Sequence, residues 1–184
     1  MNSSTLLLAR EGVVSRSTLA RRCKQGELER VSRGVYLLPN AEVTERHAFV
    51  EATLQVPKGI ICLLSALNFH GLTTQSPFEI WMALDGKAHK PKVDYPPLHI
   101  VRFSGRSLTY GIEEHTIEDR RIRITSPAKT VADCFKYRYK IGSDIAVEAL
   151  KDFLRTASSL DALMEACRVC RVGQVIQPYL EALL

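Results

Sequence analysis

The segment between Ser15 and Leu38 constrains the fold most, because it combines a capped helix, a stop signal and a hairpin in one short stretch. A serine hydroxyl accepts a hydrogen bond from a backbone N–H that has no partner in the first helical turn, so Ser15 predicts a helix start. Gly26 suits the left-handed backbone at which a helix ends, which places the helix over residues 16–25. Two short strands are then expected to meet near Gly34, since glycine is favoured in tight turns.

One face of this helix is predicted to be polar and basic. Leu19, Ala20 and Cys23 repeat at helical spacing and are expected to pack inward. The outward side chains form two neighbouring lines, Ser17, Arg21 and Lys24 in one and Thr18, Arg22 and Gln25 in the other. Such side chains donate hydrogen bonds to phosphates and to base edges in a major groove that admits one helix. We therefore predict that the segment binds DNA.

The charge distribution favours the same interpretation. Residues 1–40 hold seven basic and three acidic residues, and the whole chain carries a net charge of +5, so most of that charge lies in this segment. Clustered positive charge attracts a protein to phosphate polymers. We expect base contacts from Ser17, Arg21 and Lys24, and phosphate contacts from four arginines, Arg16, Arg22, Arg30 and Arg33. The alternative is that these cations form only a solvated helix face.

Three segments of the chain resemble the antitoxins of AbiE-type abortive-infection systems. The first runs from Gly12 to Pro39 and reads GVVSRSTLARRCKQGELERVSRGVYLLP. The others are SALNFHGL, from Ser65 to Leu72, and ITSPAKTVAD, from Ile124 to Asp133. The resemblance implies an antitoxin of a type IV toxin–antitoxin pair with an N-terminal winged helix-turn-helix domain.

The resemblance also implies the partners. They would be a nucleotidyltransferase-like toxin encoded beside the gene, and double-stranded DNA of the chain's own promoter with inverted repeats. Two copies would match the symmetry of such repeats, although a monomer on each half-site would serve too. Two other functions stay open: a winged-helix transcriptional regulator that responds to a ligand or partner without a toxin, and a nuclease delivered by the winged helix.

The hydrophobic pattern predicts an α+β fold, with the winged helix over residues 1–40 and a mixed sheet-and-helix domain over residues 41–184. The resemblance implies that this second domain is the antitoxin domain. A short scaffold helix is expected over Thr5–Arg10, and Thr44 is expected to cap a helix that ends at Val56. A further helix is predicted over residues 62–70. Three more helices are predicted to begin at Ser126, at Asp144 and at Ser158 or Ser159. A final helix from Gln174 is expected to break at Pro178.

Period-two patterns predict the strands. Phe78, Ile80, Met82 and Leu84 alternate with polar or small residues and should form the apolar face of one strand. A second strand is predicted over Leu98–Phe103, and a hairpin around residues 118–120 should place Ile122 and Ile124 inward. In the helix after Ser126 the expected inward stripe reaches Tyr139.

Two features between these strands have alternative interpretations. Trp81 either packs under the C-terminal helices or is an exposed anchor for a protein partner. The basic stretch Lys87–Lys92 is expected to be a loop whose charge is solvated, with secondary contact to DNA or to an RNA-modifying partner as the alternative.

The chain carries no strong signature of an enzyme, a metal site or a cofactor. Lys129, Thr130 and Asp133 share one helix face, but a lysine and an aspartate at this spacing are more often an ion pair. Cys167 and Cys170 have no second pair of ligands for zinc and fit a helical core stripe. No phosphate-binding glycine-rich motif occurs.

Composition and hydropathy predict a cytoplasmic protein. No apolar run is long enough to cross a bilayer, and the short run Leu6–Ala9 does not form a signal-peptide pattern. Five cysteines, an odd number spread along the chain, fit a reducing compartment better than a disulfide framework.

Overall fold

A small antiparallel sheet accompanies the first helix. The computed structural model describes residues 6–8, 14–32, 35–39, 44–156 and 159–184. Its first elements are β1 (Leu6–Leu8), α1 (Arg16–Lys24), β2 (Glu29–Ser32) and β3 (Val35–Leu37). The strands lie in the order β1-β3-β2, with both neighbours of β3 antiparallel to it. The predicted hairpin is therefore confirmed.

The scaffold helix predicted over Thr5–Arg10 is wrong, because Leu6–Leu8 forms β1. This strand pairs with β3, and Leu7 lies opposite Tyr36. A run of three leucines has no helical period of its own, so the available edge of β3 determines its conformation. Leu37 of β3 also packs against a buried cluster of the second sheet that includes Phe49 and Ile61.

A second, mixed sheet forms the centre of the remaining chain. Its strands are β4 (Ile60–Ile61), β5 (Ile80–Asp85), β6 (Leu98–Phe103), β7 (Ile112–Ile117) and β8 (Arg120–Thr125). They lie in the order β6-β5-β4-β8-β7, with β5–β6 and β4–β8 parallel and the other pairs antiparallel. The hairpin between β7 and β8 turns at Glu118 and Asp119, both with positive φ.

Helices cover both faces of this sheet. They are α2 (His47–Gln55), α3 (Leu63–Phe69), α4 (Arg106–Thr109), α5 (Pro127–Lys136), α6 (Arg138–Ile141), α7 (Ser143–Arg155), α8 (Leu160–Cys170) and α9 (Gly173–Leu183). Trp81 and Ala83 of β5 join the cluster under the C-terminal helices, whereas Met82 and Leu84 join the cluster under α2. Strand β5 is thus buried on both faces, and the fold is α+β.

Several expectations about individual residues are corrected by the structure. Phe78 precedes β5 and is 84% exposed, and Tyr139 lies beyond the end of α5 and is 85% exposed. Ala20 of α1 is exposed as well, because Leu19 and Cys23 are the residues that face the small sheet. Helix α9 continues through Pro178, since Ile176 and Leu180 anchor it on both sides of the proline.

The predicted helix starts are mostly confirmed. The Ser126 hydroxyl accepts from the backbone N–H of Lys129, with Pro127 as the first helical residue, and the Ser159 hydroxyl accepts from Ala162. Thr44 does not cap α2, which begins at His47 without a side-chain cap. Its hydroxyl instead donates to Glu118 at the β7–β8 turn. Within the residues described, no helix is long and apolar enough to span a membrane.

Candidate nucleic-acid interface

A hydroxyl network fixes the start of α1. The Ser15 Oγ accepts from the backbone N–H of Thr18 at 3.2 Å, and it also lies 2.8 Å from the Ser17 Oγ and 2.9 Å from the Thr18 Oγ1. This cap satisfies a backbone donor that the helix leaves unpaired. The Ser17 and Thr18 hydroxyls are therefore placed at the helix N-terminus, where Ser17 is exposed and Thr18 is half-buried.

A small apolar core holds α1 on its sheet. Leu19, Leu28 and Tyr36 are almost fully buried, with Val14 and Cys23 packed around them. Gly26 follows the helix with φ +75°, which lets the chain turn at once toward β2. Because Leu19 and Cys23 are directed at the sheet, the opposite side of α1 faces solvent.

The exposed side of α1 carries most of the predicted DNA-contacting residues. Arg21 and Lys24 are exposed and lie one turn apart, together with Ser17 one turn earlier. Within the residues described, neither Arg21 nor Lys24 has a carboxylate at ion-pair distance. The three side chains form one line that an approaching ligand can reach along the whole helix.

The neighbouring cations are arranged less uniformly. Arg22 is exposed, and its Nε lies 3.8 Å from a carboxylate oxygen of Glu27, a long and solvated pair that contributes little energy. Gln25 caps the helix end and is exposed. Arg30 is exposed on β2, opposite Tyr36 of β3. Arg33 lies outside the described residues, and of Arg16 only the backbone, in the first turn of α1, is described.

Five of the predicted base-contacting and phosphate-contacting residues thus lie at exposed positions of α1 and β2. The last turn of α1 holds Arg21, Arg22 and Lys24, where positive charge also interacts favourably with the helix dipole. Arginine and lysine on one exposed helix face can donate to phosphate oxygens and to guanine edges. We define this set, Ser17, Arg21, Arg22, Lys24 and Arg30, as the basic surface.

A partly buried acidic cluster lies where the chain enters α2. The Glu118 carboxylate accepts from the backbone N–H and hydroxyl of Thr44 and from His47, with the His47 Nδ1 at 2.7 Å. Burial alone would raise the pKa of Glu118, but these hydrogen bonds outweigh it and lower the pKa. Burial raises the pKa of Glu51, whose carboxylate lies 3.4 Å from the His47 Nε2. The hydrogen bonds of this cluster connect the start of α2 to the β7–β8 turn.

The group considered for catalysis forms a fully buried ion pair. The Lys129 ammonium donates to the Asp133 carboxylate, and both side chains have no exposed surface. The Cys170 thiol donates to the other carboxylate oxygen at 3.2 Å. Burial raises the pKa of Asp133, although Lys129 opposes that shift. The predicted ion pair is confirmed, and both of its side chains are fully buried.

Thr130 and the two nearby cysteines are structural in the same way. The Thr130 hydroxyl donates to the backbone carbonyl of Ser126 at 2.8 Å and lies 2.7 Å from the Thr125 hydroxyl. Cys167 and Cys170 are buried, which raises their pKa values to about 11 and about 12 and keeps both thiols protonated at neutral pH. In the described ranges no histidine, cysteine and carboxylate side chains group as metal ligands.

The structure bears on the two features in the middle of the chain that have alternative interpretations. Trp81 is 8% exposed, stacks on the His99 ring at 3.8 Å between centroids and packs in the cluster of the C-terminal helices. The packing interpretation is therefore confirmed. The stretch Lys87–Lys92 is a loop, as expected, with its lysines exposed.

Comparison with known proteins relates one part of the chain to a family. Residues 8–39 match the family described as "Transcriptional regulator, AbiEi antitoxin". The match covers α1 and its hairpin, which hold the basic surface, and it confirms the resemblance predicted for this segment. No curated protein matches the chain significantly.

Proposed function

We propose that this chain, whose residues 8–39 match the AbiEi antitoxin regulators, is a DNA-binding autorepressor and the antitoxin of a type IV toxin–antitoxin pair. The family match supports the regulatory and antitoxin role in general. The observation that carries the DNA-binding part is the exposed line of Ser17, Arg21 and Lys24 on a helix whose opposite side is buried against a sheet.

The arrangement around α1 is suited to insertion into a major groove. A helix is narrow enough for that groove, and its exposed cations can reach both base edges and flanking phosphates. The β2–β3 hairpin with Arg30 then lies beside the helix, as the wing of a winged-helix domain would. The strand order β1-β3-β2 supports this assignment because it places β1 against the hairpin as a third strand.

Each basic residue has a proposed role. Ser17, Arg21 and Lys24 contact base edges, whereas Arg16, Arg22, Arg30 and Arg33 position the phosphate backbone. Thr18 and Gln25, on the neighbouring line, border the same contact. The operator is duplex DNA with inverted repeats upstream of the chain's own gene, bound by two copies.

Residues 41–184 form the proposed antitoxin domain, with residues 1–40 as the DNA-binding domain. The second sheet and its helices hold two large buried clusters, one of which also contacts Leu37 of β3, and clusters of this size support a separate domain. Its proposed target is a nucleotidyltransferase-like toxin encoded beside the gene. The fully buried state of Lys129 and Asp133 supports a role by binding rather than by catalysis.

A cellular experiment separates the two activities. Wild-type protein and the Arg21→Ala variant are expressed with a reporter under the upstream DNA, and separately with the neighbouring toxin gene. We expect Arg21→Ala to lose repression while it still protects cells from the toxin. The matched control, Lys151→Ala, removes an exposed cation of α7 and should retain both activities.

Two results would overturn the proposal. Full repression by Arg21→Ala would place DNA recognition elsewhere, and failure of the wild-type protein to protect cells from the neighbouring nucleotidyltransferase would remove the toxin–antitoxin assignment. Repression without protection would favour a regulator that has no toxin.

A further inference from the structure

A basic cavity lies in residues 41–184. It has a volume of about 710 Å³ and is bordered by the loop before α4, the C-terminal end of α5 and the junction of α8 and α9. Cavities of this size are typical of small-ligand sites. Five cations line it, Arg106, Lys136, Arg138, Arg168 and Arg171. None of its lining residues is acidic. We call this site the basic cleft.

The positive charge of the basic cleft exceeds what its surroundings neutralise. Glu165, which is not a lining residue, accepts from Arg168 and lies 3.6 Å from Arg106. The C-terminal ends of α5 and α8 add roughly half a negative charge each. Five cations against about two negative charges leave an excess of about three positive charges, close to the charge of a di- or triphosphate group.

Arg171 is placed in the cleft at a conformational cost. It follows α8 with φ +60° and ψ +43°, the left-handed conformation that glycine adopts without strain. A side chain other than glycine costs about 1 kcal/mol there. Among the described residues no carboxylate pairs with Arg171.

Other contacts hold cations at the edge of the cleft. The Arg138 guanidinium donates to the backbone carbonyl of Phe135 at 2.9 Å and lies over the Tyr139 ring at 4.3 Å. The Lys136 ammonium donates to the Ser107 hydroxyl at 3.4 Å, a long contact that leaves its other protons available. These groups are therefore positioned before any ligand arrives.

Three valines form an apolar part of the cleft wall. Val169 and Val175 are half-buried lining residues, next to the buried Val172. A ligand that fits both parts needs a multiply charged anionic group and a flat or apolar group. Inorganic phosphate supplies only the first, whereas a nucleotide supplies both.

We propose that the basic cleft binds a nucleoside di- or triphosphate, with its phosphates on the arginine and lysine side chains and its base along the valines. This site is separate from the basic surface of α1 and does not depend on the proposed DNA-binding or antitoxin function. Polynucleotides are the alternative source of the same phosphate chemistry, and the test distinguishes them.

The test is isothermal titration calorimetry of the full chain with ATP, GTP, inorganic triphosphate and a random DNA duplex. Two variants remove cations with little risk to the fold. Arg171→Gly suits the left-handed backbone, and Lys136→Gln keeps a good helix former at an exposed position. Lys151→Gln makes the same change on α7, outside the cleft, and is the matched control.

We expect at least one nucleotide to bind more tightly than inorganic triphosphate, and each cleft variant to weaken binding about tenfold while Lys151→Gln does not. Operator binding should be unchanged in the cleft variants. The proposal is overturned if neither nucleotide binds, if inorganic triphosphate binds as tightly as both, or if only duplex DNA depends on Lys136 and Arg171. Equal losses in Lys136→Gln and Lys151→Gln would also overturn it.

Discussion

The buried pair of Lys129 and Asp133 gives the most quantitative prediction. The Asp133→Ala variant leaves the Lys129 ammonium in the core with no exposed surface, where the Phe103 ring at 4.4 Å remains as a favourable electrostatic partner. The Cys170 thiol loses its acceptor at the same time. Removing one partner of a buried ion pair costs about 3–5 kcal/mol.

This free energy corresponds to a large change in melting temperature. For a chain of this length each kcal/mol shifts Tm by about 2–4 °C, so Asp133→Ala should melt about 6–20 °C lower. The double variant Lys129→Met, Asp133→Leu removes both charges together, and it should regain most of the loss because well-packed apolar side chains can replace a buried pair.

Circular dichroism during thermal and urea unfolding measures both effects. The matched control is Asp152→Ala, which breaks an exposed pair with Arg155, 3.0 Å apart on α7, and should cost no more than about 1 kcal/mol. The reasoning is refuted if Asp133→Ala and Asp152→Ala lose equal stability. It also fails if the double variant is as unstable as Asp133→Ala. If Asp133→Ala does not fold, the stability of the double variant alone tests the reasoning.

Three further predictions concern α1, its end and the cluster at α2. In competition binding, Arg21→Ala should lose about 1–3 kcal/mol of preference for operator over scrambled DNA, whereas Arg30→Ala should weaken both duplexes equally; the reverse pattern would exchange their roles. Gly26 has a φ of +75°, and an added Cβ there would meet no atom within 4 Å. Gly26→Ala should therefore lower the free energy of unfolding by about 1 kcal/mol through backbone strain alone, and it should raise the rate of amide hydrogen exchange in α1 about fivefold. Because the folded-state pKa of Glu118 is lowered, its stabilisation is present above the usual pKa of 4.5 and is lost as the pH falls through the folded value. In the Glu118→Gln variant the free energy of unfolding should therefore decrease less steeply below about pH 4.5 than in the wild type. An unchanged acid unfolding curve would contradict this role of Glu118.

Local signals in the sequence predicted the elements whose ends are set by neighbouring residues. Ser15 and Gly26 bound α1, and Ser126 with Pro127 starts α5, because caps act within one helical turn. The same holds for the β7–β8 turn at Glu118 and Asp119.

Features that depend on distant parts of the chain could not be predicted in this way. Leu6–Leu8 is a strand because β3 offers it an edge, and Thr44 bonds to Glu118 rather than capping α2. The helical spacing of Lys129 and Asp133 predicted their pairing, but their complete burial depends on α8 and its Cys170.

The two candidate sites differ in how far local sequence signals could predict them. The basic surface lies within one short segment, so helical periodicity and clustered charge were enough to find most of it. The basic cleft combines Arg106, Lys136 and Arg171 from three separate parts of the chain. The sequence signal for Lys136 and Arg171 is positive charge at the C-terminal ends of two helices, which is also typical of ordinary dipole stabilisation.

The most direct test of the central claim is fluorescence anisotropy of the purified chain with labelled DNA from upstream of its own gene, beside a scrambled duplex, over a series of salt concentrations. We predict tight binding to the native duplex, a clear preference over the scramble and a steep decrease of affinity with salt, as phosphate contacts require. Weak and equal binding to both duplexes would contradict the assignment of α1 as a sequence-specific DNA-binding helix.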